Sequence, residues 1–310
     1  MSSPAPPQLG REMDTRGRFV RQRSAFRGVV TADGSSGLPA APGRYHLYVS
    51  YACPWAHRTI IVRSLKGLSD VISMSAVDPI RDARGWRFGV GPGFGPDPVN
   101  DFAFLSEAYL ATEPGFRGRV TVPVLWDIAE ARIVNNESAD IIRMLNSEFD
   151  EWGDASLDLV PAELREEIDE VNARVYRDVN NGVYRAGFAT TQEAYEEAVL
   201  ELFAALDWLE ERLSGRRFLV GERMTEADWR LLTTLVRFDA VYVGHFKCNL
   251  RRIVDYPALS DYARRLLAVP GAAETVRMDH IKPHYYVTHG SINPTGIVPL
   301  GPIEDVTGRR

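Results

Sequence analysis

The stretch that decides the fold is residues 44–66, RYHLYVSYACPWAHRTIIVRSLK. It begins with an aromatic and aliphatic run of the kind that forms a buried strand. A short turn ends at Cys53, and Pro54 then opens a segment in which Ile60, Ile61 and Leu65 fall on the inner side of a helix. Proline is favoured at the first helical position because its missing N–H has no partner there anyway. The stretch therefore predicts a strand, a turn and a helix, with the cysteine at the helix start.

Cys53 lies where free backbone N–H groups and the helix dipole favour a negative charge. The thiolate is the reactive form of cysteine, so this position favours a working thiol over a buried structural cysteine, which is the alternative reading. The second position of a C-x-x-C pair is occupied by Ala56. Because no neighbouring thiol can resolve a disulfide at Cys53, an external thiol must release whatever forms there.

Composition and charge argue against several classes of protein. The chain has 310 residues, of which 45% are hydrophobic and 25% charged, as expected for a globular protein with room for two cores. A net charge of -6 without a basic cluster argues against nucleic-acid binding. The cysteines, Cys53 and Cys248, are far apart in sequence, which indicates a reducing compartment. We find no apolar run of membrane-spanning length and no signal-like start, so we expect a cytoplasmic protein without a membrane partner.

The order of the patterns predicts two domains. Residues 1–43 are expected to form an extended N-terminal arm. Residues 44–150 read as β-α-β, a long Gly/Pro-rich excursion with a short helix, then β-β-α, which is the thioredoxin-like arrangement. Residues 151–162 read as a linker, residues 163–289 as almost wholly helical, and residues 290–310 as a tail.

Within the helical half, residues 164–188 and 192–215 each show the spacing of one long amphipathic helix. Thr225 and Asp228 form a capping box before an apolar run, which points to fold stability and not to chemistry. Residues 256–286, which end in KPHYY, are predicted to form two more helices and an exit strand or coil.

A thioredoxin-like half followed by an all-helical half resembles the cytosolic glutathione transferases. VPVLWD is similar to their strand with a cis-proline, here Pro123, and NNESADI to the Glu-Ser pair that opens a helix. YACPWAHR is more selective and resembles the glutathionyl-hydroquinone reductases, the xi class. That likeness extends from about residue 12 to 290, through GWRF, RVTVPVLWD, NNESADI, NNGVYRAGFA, VYVGHFKCN and KPHYY.

The resemblance implies a role for each matching residue. Cys53 would be the nucleophile, Tyr184 the proton donor or acceptor at the aromatic substrate, and Tyr242 and Tyr285 would help to keep the cysteine ionised. The implied contacts with glutathione are Trp86 over the tripeptide, the backbone of Arg119, Val120, Thr121 and Val122 on its cysteinyl part, and Glu137 with Ser138 on its γ-glutamyl end.

Elementary chemistry agrees with these roles. A carboxylate beside Ser138 would lie at a helix N-terminus, where anions are favoured, and Glu137 can pair with an ammonium group. Backbone groups beside a cis-proline can bind a peptide in strand fashion. Phenol hydroxyls donate hydrogen bonds to a thiolate or phenolate, although each tyrosine alone could equally be a core residue with a satisfied hydroxyl. A Gly-rich loop is a poor place for a core residue, so we expect Trp86 to contact a ligand.

The remaining histidines, arginines and the second cysteine are weaker candidates for a functional role. His57 is interpreted as structural, Cys248 as buried and inert, and Arg264 and Arg265 as part of a solvated face. His280, His284 and His289 are too loosely spaced to predict a metal site, and we expect none.

The resulting hypothesis is the reduction of S-glutathionyl-hydroquinones, with glutathione as co-substrate and an aromatic pocket lined by the three tyrosines. The resemblance also implies a homodimer. A different low-molecular-weight thiol remains open as the donor. The alternatives are an omega-like thioltransferase or dehydroascorbate reductase, and a catalytically silent binding protein of the glutathione transferase type. The insertion with Trp86 and the KPHYY segment favour the first function over the second, and the retained Cys53 argues against the third.

Overall fold

The computed structural model describes residues 12–308, which divide into two compact units. Unit 1 comprises Gln22–Asp158 and Arg277–His284, and unit 2 comprises the described residues up to Arg21, Leu159–Val276 and the chain from Tyr285 onward. The chain passes from the main segment of unit 1 to that of unit 2 after Asp158, inside the segment 151–162 that is predicted to be a linker. The N-terminal arm is divided between the units, and so is the end of the predicted helical region.

Unit 1 is built on a four-stranded sheet with the strand order β2-β1-β3-β4. β1 pairs in parallel with β2 and antiparallel with β3, which pairs antiparallel with β4. Its elements are β1 (Tyr45–Val49), α1 (Pro54–Leu65), β2 (Ser73–Ala76), α2 (Leu105–Thr112), β3 (Val124–Asp127), β4 (Arg132–Asn135) and α3 (Ser138–Ser147). The predicted thioredoxin-like order is confirmed.

The central strand and the two flanking helices supply the core of unit 1. All five residues of β1 are buried, which is what an aromatic and aliphatic strand needs at the centre of a sheet. Ile60 and Ile61 of α1 are 4% and 0% exposed, and α1 packs against α3, in which Ile141 and Ile142 are also buried. Leu65, predicted on the same inner side, lies at the end of α1 and is only half-buried.

Part of the N-terminal arm extends the sheet beyond β4. The N–H of Gly28 donates to the carbonyl of Val134 at 2.8 Å, and the N–H of Asn136 donates to the carbonyl of Phe26 at 3.0 Å. A Cβ at residue 28 would lie 2.7 Å from the Val134 carbonyl oxygen, so only glycine allows this approach. The arm thus covers a sheet edge that would otherwise be open to strand pairing.

The Gly/Pro-rich excursion is held in place by a buried carboxylate. Asp97 accepts the Tyr48 hydroxyl at 3.0 Å, which joins the loop to β1. It also accepts the backbone N–H groups of Val99, Asn100 and Phe102. One side chain therefore orders a turn and attaches it to the sheet.

Unit 2 consists of helices. These are α4 (Arg165–Arg174), α5 (Gly182–Gly187), α6 (Gln192–Leu213), α7 (Glu226–Arg237), α8 (Pro257–Leu267) and the end of α9 (Met278–Thr288), with π-helical segments at Val175–Asn180 and Phe238–Tyr242. The prediction of one helix over 164–188 is wrong, since α4 and α5 are separated by the first π-helical segment and by Asn181. Asparagine and glycine at 181 and 182 have weak helix propensity, which favours the interruption.

α6 shows the expected amphipathic packing. Its apolar stripe, Leu202, Phe203, Leu206 and Leu209, is buried, as predicted. The helix has 22 residues, and charged side chains interrupt it throughout. Over residues 12–308, no helix combines the length and the apolar character that crossing a bilayer requires.

The stretch 256–286 ends in a helix, α9, and the expected exit strand or coil is wrong for KPHYY at 282–286. These residues are helical although Pro283 lies inside the helix and cannot donate a backbone hydrogen bond. Ile281, Tyr285 and Tyr286 are 0%, 1% and 8% exposed, so burial of one helix face outweighs the missing bond. The division between the units falls within α9, after His284.

The capping box of α7 is present and fully buried. One oxygen of Asp228 accepts the N–H of Thr225 at 2.8 Å, and the other accepts the N–H of Leu219 at 2.9 Å and the Tyr262 hydroxyl at 2.8 Å. Burial raises the pKa of Asp228, and these donors oppose the shift. The predicted role in stability fits this arrangement.

Replacing Asp228 with alanine should lower the free energy of unfolding by about 3 kcal/mol, because two buried backbone N–H groups and the Thr225 and Tyr262 hydroxyls lose their acceptor. Urea denaturation followed by tryptophan fluorescence measures this loss. The matched control is Asp255→Ala, since Asp255 caps a short helix in the same way but its side chain is 38% exposed. That variant should lose less than about 1 kcal/mol. Equal losses in both variants would contradict the role assigned to Asp228.

Candidate active site

Cys53 is the N-cap residue of α1, with φ -80° and ψ 121°. Pro54 occupies the first helical turn, and the first helical hydrogen bond runs from the N–H of His57 to the carbonyl of Cys53 at 2.9 Å. The cysteine is half-buried, and its Sγ donates to the carbonyl oxygen of Val122 at 3.5 Å. The thiol therefore lies at the start of a helix and against the residue that precedes Pro123.

The segment that contains Val122 is held by a buried tyrosine. The Val122–Pro123 peptide bond is cis, as predicted. Just before it, the hydroxyl of Tyr109 in α2 donates to the carbonyl of Thr121 at 2.8 Å and accepts its N–H at 3.1 Å. Burial raises the pKa of Tyr109, so its hydroxyl stays protonated and can act as donor and acceptor at once.

The same tyrosine connects this segment to the start of α3. Asn136 donates from Nδ2 to the Tyr109 hydroxyl at 3.1 Å and to Thr121 Oγ1 at 3.2 Å. The next residues along the chain are Glu137 and Ser138, which open α3. Tyr109 and Asn136 thus fix the distance between the two segments that were predicted to contact glutathione.

The Glu-Ser pair is itself held from two sides. Glu137 caps α3, accepting the N–H of Ala139 at 3.1 Å, and its second oxygen accepts the Ser24 hydroxyl of the N-terminal arm at 2.9 Å. The buried Arg58 guanidinium donates to Ser138 Oγ at 3.4 Å. A cation and a helix N-terminus therefore meet at Ser138, which favours an anionic ligand group there.

Trp86 is buried, contrary to the expectation from its Gly-rich surroundings. It is 5% exposed, and its ring stacks on that of His284 with a centroid distance of 5.2 Å and an interplanar angle of 14°. The Arg81 guanidinium lies 5.1 Å from the centroid of the indole. The start of α9 covers the loop, which the sequence pattern alone did not indicate.

The three predicted tyrosines lie in unit 2 and share one chain of hydroxyl groups. The hydroxyl oxygens of Tyr184 and Tyr285 are 2.6 Å apart, and those of Tyr285 and Tyr242 are 3.1 Å apart. Tyr242 and Tyr285 are buried, and Tyr184 is half-buried. Burial raises the pKa of both buried phenols well above the usual range, so they remain neutral near pH 7.

Phe246 packs in the middle of these tyrosines and was not singled out from the sequence. Its ring centroid lies 5.4 Å from those of Tyr184 and Tyr242 and 5.6 Å from that of Tyr285. A Cβ at Gly187 would approach Phe246 within 2.2 Å, so this position requires glycine. The motifs NNGVYRAGFA and VYVGHFKCN contain these two residues, but their contact appears only in the fold.

The less promising candidates are held by other contacts. Cys248 is 0% exposed, and burial raises the pKa of its thiol, which fits an inert cysteine. His289 Nδ1 lies 3.2 Å from Nε2 of His245, and burial lowers the pKa of His245 to about 4. Among residues 12–308 no group of three or more potential metal ligands lies close enough together to hold an ion.

Comparison with known proteins places the chain in a family. Residues 52–148 match the glutathione S-transferase N-terminal domain, and residues 192–265 match the C-terminal domain. Over 292 residues the chain is 56% identical to glutathionyl-hydroquinone reductase PcpF of Sphingobium chlorophenolicum, covering 94% of this chain and 92% of that protein. The chain belongs to the glutathionyl-hydroquinone reductase family.

Solved structures support the same assignment. The crystal structure of glutathione S-transferase Xi from Phanerochaete chrysosporium superposes with a TM-score of 0.92 at 50% identity, covering 94% of this chain and 95% of that one. The glutathione-bound structure of YqjG from Escherichia coli gives a TM-score of 0.89 at 52% identity, with 91% and 94% covered. The resemblance read from YACPWAHR and the fold class are therefore confirmed for this reductase family member.

Sequence reasoning missed Tyr109 and Asn136. Tyr109 lies in the short helix of the excursion, where a polar group among apolar residues was the available signal. Asn136 belongs to the quoted motif NNESADI and directly precedes the Glu-Ser pair. Their partners, however, come from three separate segments of the chain, so only the fold identifies them.

Tyr109→Phe should lower the free energy of unfolding by about 2–3 kcal/mol, because Thr121 and Asn136 lose buried hydrogen-bond partners. Chemical denaturation measures the change. Tyr45→Phe is the matched control, since that buried tyrosine donates a single hydrogen bond, to the Pro39 carbonyl at 2.9 Å. The control should lose about 1 kcal/mol. A loss at Tyr109 no larger than at Tyr45 would argue against its bridging role.

Proposed function

We propose that this protein reduces S-glutathionyl-hydroquinones to hydroquinones, with glutathione as co-substrate and oxidised glutathione as the second product. The observation that carries the proposal is the half-buried Cys53 at the N-terminus of α1, with Sγ 3.5 Å from the carbonyl that precedes Pro123. It occurs in a chain 56% identical to a glutathionyl-hydroquinone reductase. A thiolate at this position is a nucleophile, and the backbone groups next to it are suited to bind a peptide-like substrate.

In the first step the Cys53 thiolate attacks the sulfur of the glutathionyl-hydroquinone. An S–S bond forms and the bond from sulfur to the ring carbon breaks, with its electron pair passing to the carbon. That carbon takes a proton, for which we propose Tyr184 as the donor. The hydroquinone leaves, and glutathione remains disulfide-bonded to Cys53.

In the second step a glutathione thiolate attacks the glutathionyl sulfur of the mixed disulfide. Oxidised glutathione leaves, and Cys53 returns as the thiolate. Ala56 occupies the position at which a C-x-x-C protein carries its resolving thiol, which supports this external route. Sulfur is oxidised in forming oxidised glutathione, and the ring carbon is reduced, so electrons balance over the two steps.

For glutathione we propose binding along the segments around Thr121 and Glu137. The γ-glutamyl carboxylate would lie at Ser138 near the α3 N-terminus, and the ammonium group would pair with Glu137. The backbone of Arg119–Val122 would hold the cysteinyl part, with Trp86 against the tripeptide. The neutral thiol of Cys53 donates to the Val122 carbonyl, whereas a thiolate cannot. Ionisation therefore releases that carbonyl for a substrate N–H.

For the aromatic group we propose the surface of unit 2 around the tyrosines. Tyr242 and Tyr285 stay neutral because burial raises the pKa of each phenol, so Tyr285 can donate to Tyr184 while Tyr242 donates to Tyr285. A phenol chain of this kind stabilises charge that develops on its terminal hydroxyl. Their assistance to the Cys53 thiolate, implied by the family resemblance, stays a prediction.

Two further expectations belong to this proposal. A reaction that consumes reduced thiol needs a reducing compartment, so we propose the cytoplasm. The homodimer stays a prediction that sedimentation analysis tests. If the protein turns over with a different low-molecular-weight thiol and not with glutathione, that thiol is the donor.

Cys53→Ala should reduce turnover of glutathionyl-menadiol by about 10³-fold or more, because the covalent step loses its nucleophile. Cys248→Ala is the matched control and should keep the parental rate, since that thiol is buried. Parental activity of Cys53→Ala would refute the assignment. Faster turnover of hydroxyethyl disulfide than of glutathionyl-menadiol by the unaltered protein would instead support a thioltransferase.

Tyr184→Phe should slow release of the hydroquinone by about 10²-fold or more, because the ring carbon loses its proton donor. Attack of glutathione on the Cys53 mixed disulfide should keep its rate, and single-turnover measurements separate the two steps. Tyr195→Phe serves as control, because the hydroxyl of this tyrosine in unit 2 donates to the Lys247 carbonyl at 2.7 Å. Equal slowing of both steps in Tyr184→Phe would count against proton donation.

A further inference from the structure

Two histidines on one face of α9 hold the Gly/Pro-rich loop at points on either side of Trp86. His284 Nδ1 lies 2.6 Å from the carbonyl oxygen of Pro79, and His280 Nε2 lies 2.7 Å from that of Pro92. A carbonyl oxygen only accepts, so each of these ring nitrogens carries the hydrogen and donates it. The hydrogen bonds fix the position of both imidazole rings relative to the loop.

The indole of Trp86 rests on one of these fixed rings. The centroids of Trp86 and His284 are 5.2 Å apart and their planes differ by 14°, which is a parallel stack. The tryptophan backbone is held separately, because its carbonyl accepts the N–H of Leu105 at 2.9 Å. With the backbone and one ring face both set, the indole loses the rotation that a side chain on a Gly-rich loop would otherwise have.

The same part of α9 contacts the turn that presents Cys53. The ring of His280 meets that of Tyr51 edge-on at 5.5 Å, and Tyr51 belongs to the turn before the cysteine. The Arg277 guanidinium lies 5.7 Å from the Tyr51 ring centroid and donates to the Pro92 carbonyl at 3.1 Å. Residues 277–284 therefore touch both the cysteine turn and the loop that carries Trp86, and all of them belong to unit 1.

We propose that His284 is a positioning residue, which sets the plane of Trp86 for binding glutathione. The inference rests on the proposed function, in which Trp86 contacts the tripeptide. Nothing in the proposed chemistry uses His284 directly, so its loss should weaken binding of the glutathionyl group of the substrate and leave the chemical steps intact. The KM for the glutathionyl-hydroquinone, and not kcat, is therefore the quantity that reports its role, because the glutathionyl part of this substrate occupies the site before the second glutathione attacks.

Two substitutions separate the ring of His284 from its hydrogen bond. His284→Asn keeps an N–H near the position of Nδ1 for the Pro79 carbonyl but removes the ring. His284→Phe keeps a ring for stacking and removes the N–H. We expect His284→Asn to raise the KM for the glutathionyl-hydroquinone about fivefold, with kcat within about twofold, which corresponds to the loss of one aromatic stack. His284→Phe should keep the KM within about twofold of the parental value.

His280→Gln is the matched control, because the glutamine amide N–H reaches the position of Nε2, which bonds the Pro92 carbonyl. His280 lies one turn earlier on α9 and bonds the same loop, but its ring contacts are with Tyr51 and Phe94 and not with Trp86. Both amide variants should lower the melting temperature, because each removes a buried ring. Only His284→Asn should raise the KM. An equal rise in His280→Gln, or an equal rise in His284→Phe, would overturn the proposal.

Trp86→Ala distinguishes failure of this inference from failure of the proposed function. If Trp86→Ala raises the KM and His284→Asn does not, only the positioning role is wrong. If Trp86→Ala leaves the KM unchanged, the contact between Trp86 and glutathione is wrong, and the role of His284 fails with it. The double variant should show no rise beyond that of Trp86→Ala, because His284 acts through the indole.

Discussion

The approach of Cys53 Sγ to the Val122 carbonyl, at 3.5 Å, is the contact on which the candidate site depends. It follows from strand order. β1 and β3 are antiparallel neighbours, and Tyr48 near the end of β1 pairs with Val124 at the start of β3. The residues that follow β1 and those that precede β3 must therefore meet at one edge of the sheet. The chain after β1 places the start of α1 at this edge, and the chain before β3 places the cis-proline segment there.

Around that contact, each proposed binding element is held by a buried residue that takes no part in the chemistry. Tyr109 and Asn136 connect the segment before Pro123 to the start of α3. The ring of His284 in α9 stacks on the indole of Trp86. Side chains with several fixed hydrogen bonds or ring contacts have little freedom left, so a substrate would meet groups that are already in position.

The features that could be predicted from the sequence are those decided by near neighbours along the chain. Cys53 before Pro54, the capping box at Asp228 and the sequence of strands and helices along unit 1 all follow from local patterns. The burial of Trp86 and the helix through Pro283 could not be read in this way. Both depend on α9 packing on a loop that is distant in sequence, and tertiary burial there outweighs local propensity.

The most direct measurement is the intact mass of the protein after incubation with a glutathionyl-hydroquinone and no free thiol. The covalent route predicts a gain of one glutathionyl group without the aromatic ring, located on Cys53 by peptide mapping and removed when glutathione is added. The absence of an adduct, an adduct that retains the ring, or a modification at Cys248 would contradict it. Any of these results would leave the family and the fold in place and remove the proposed mechanism.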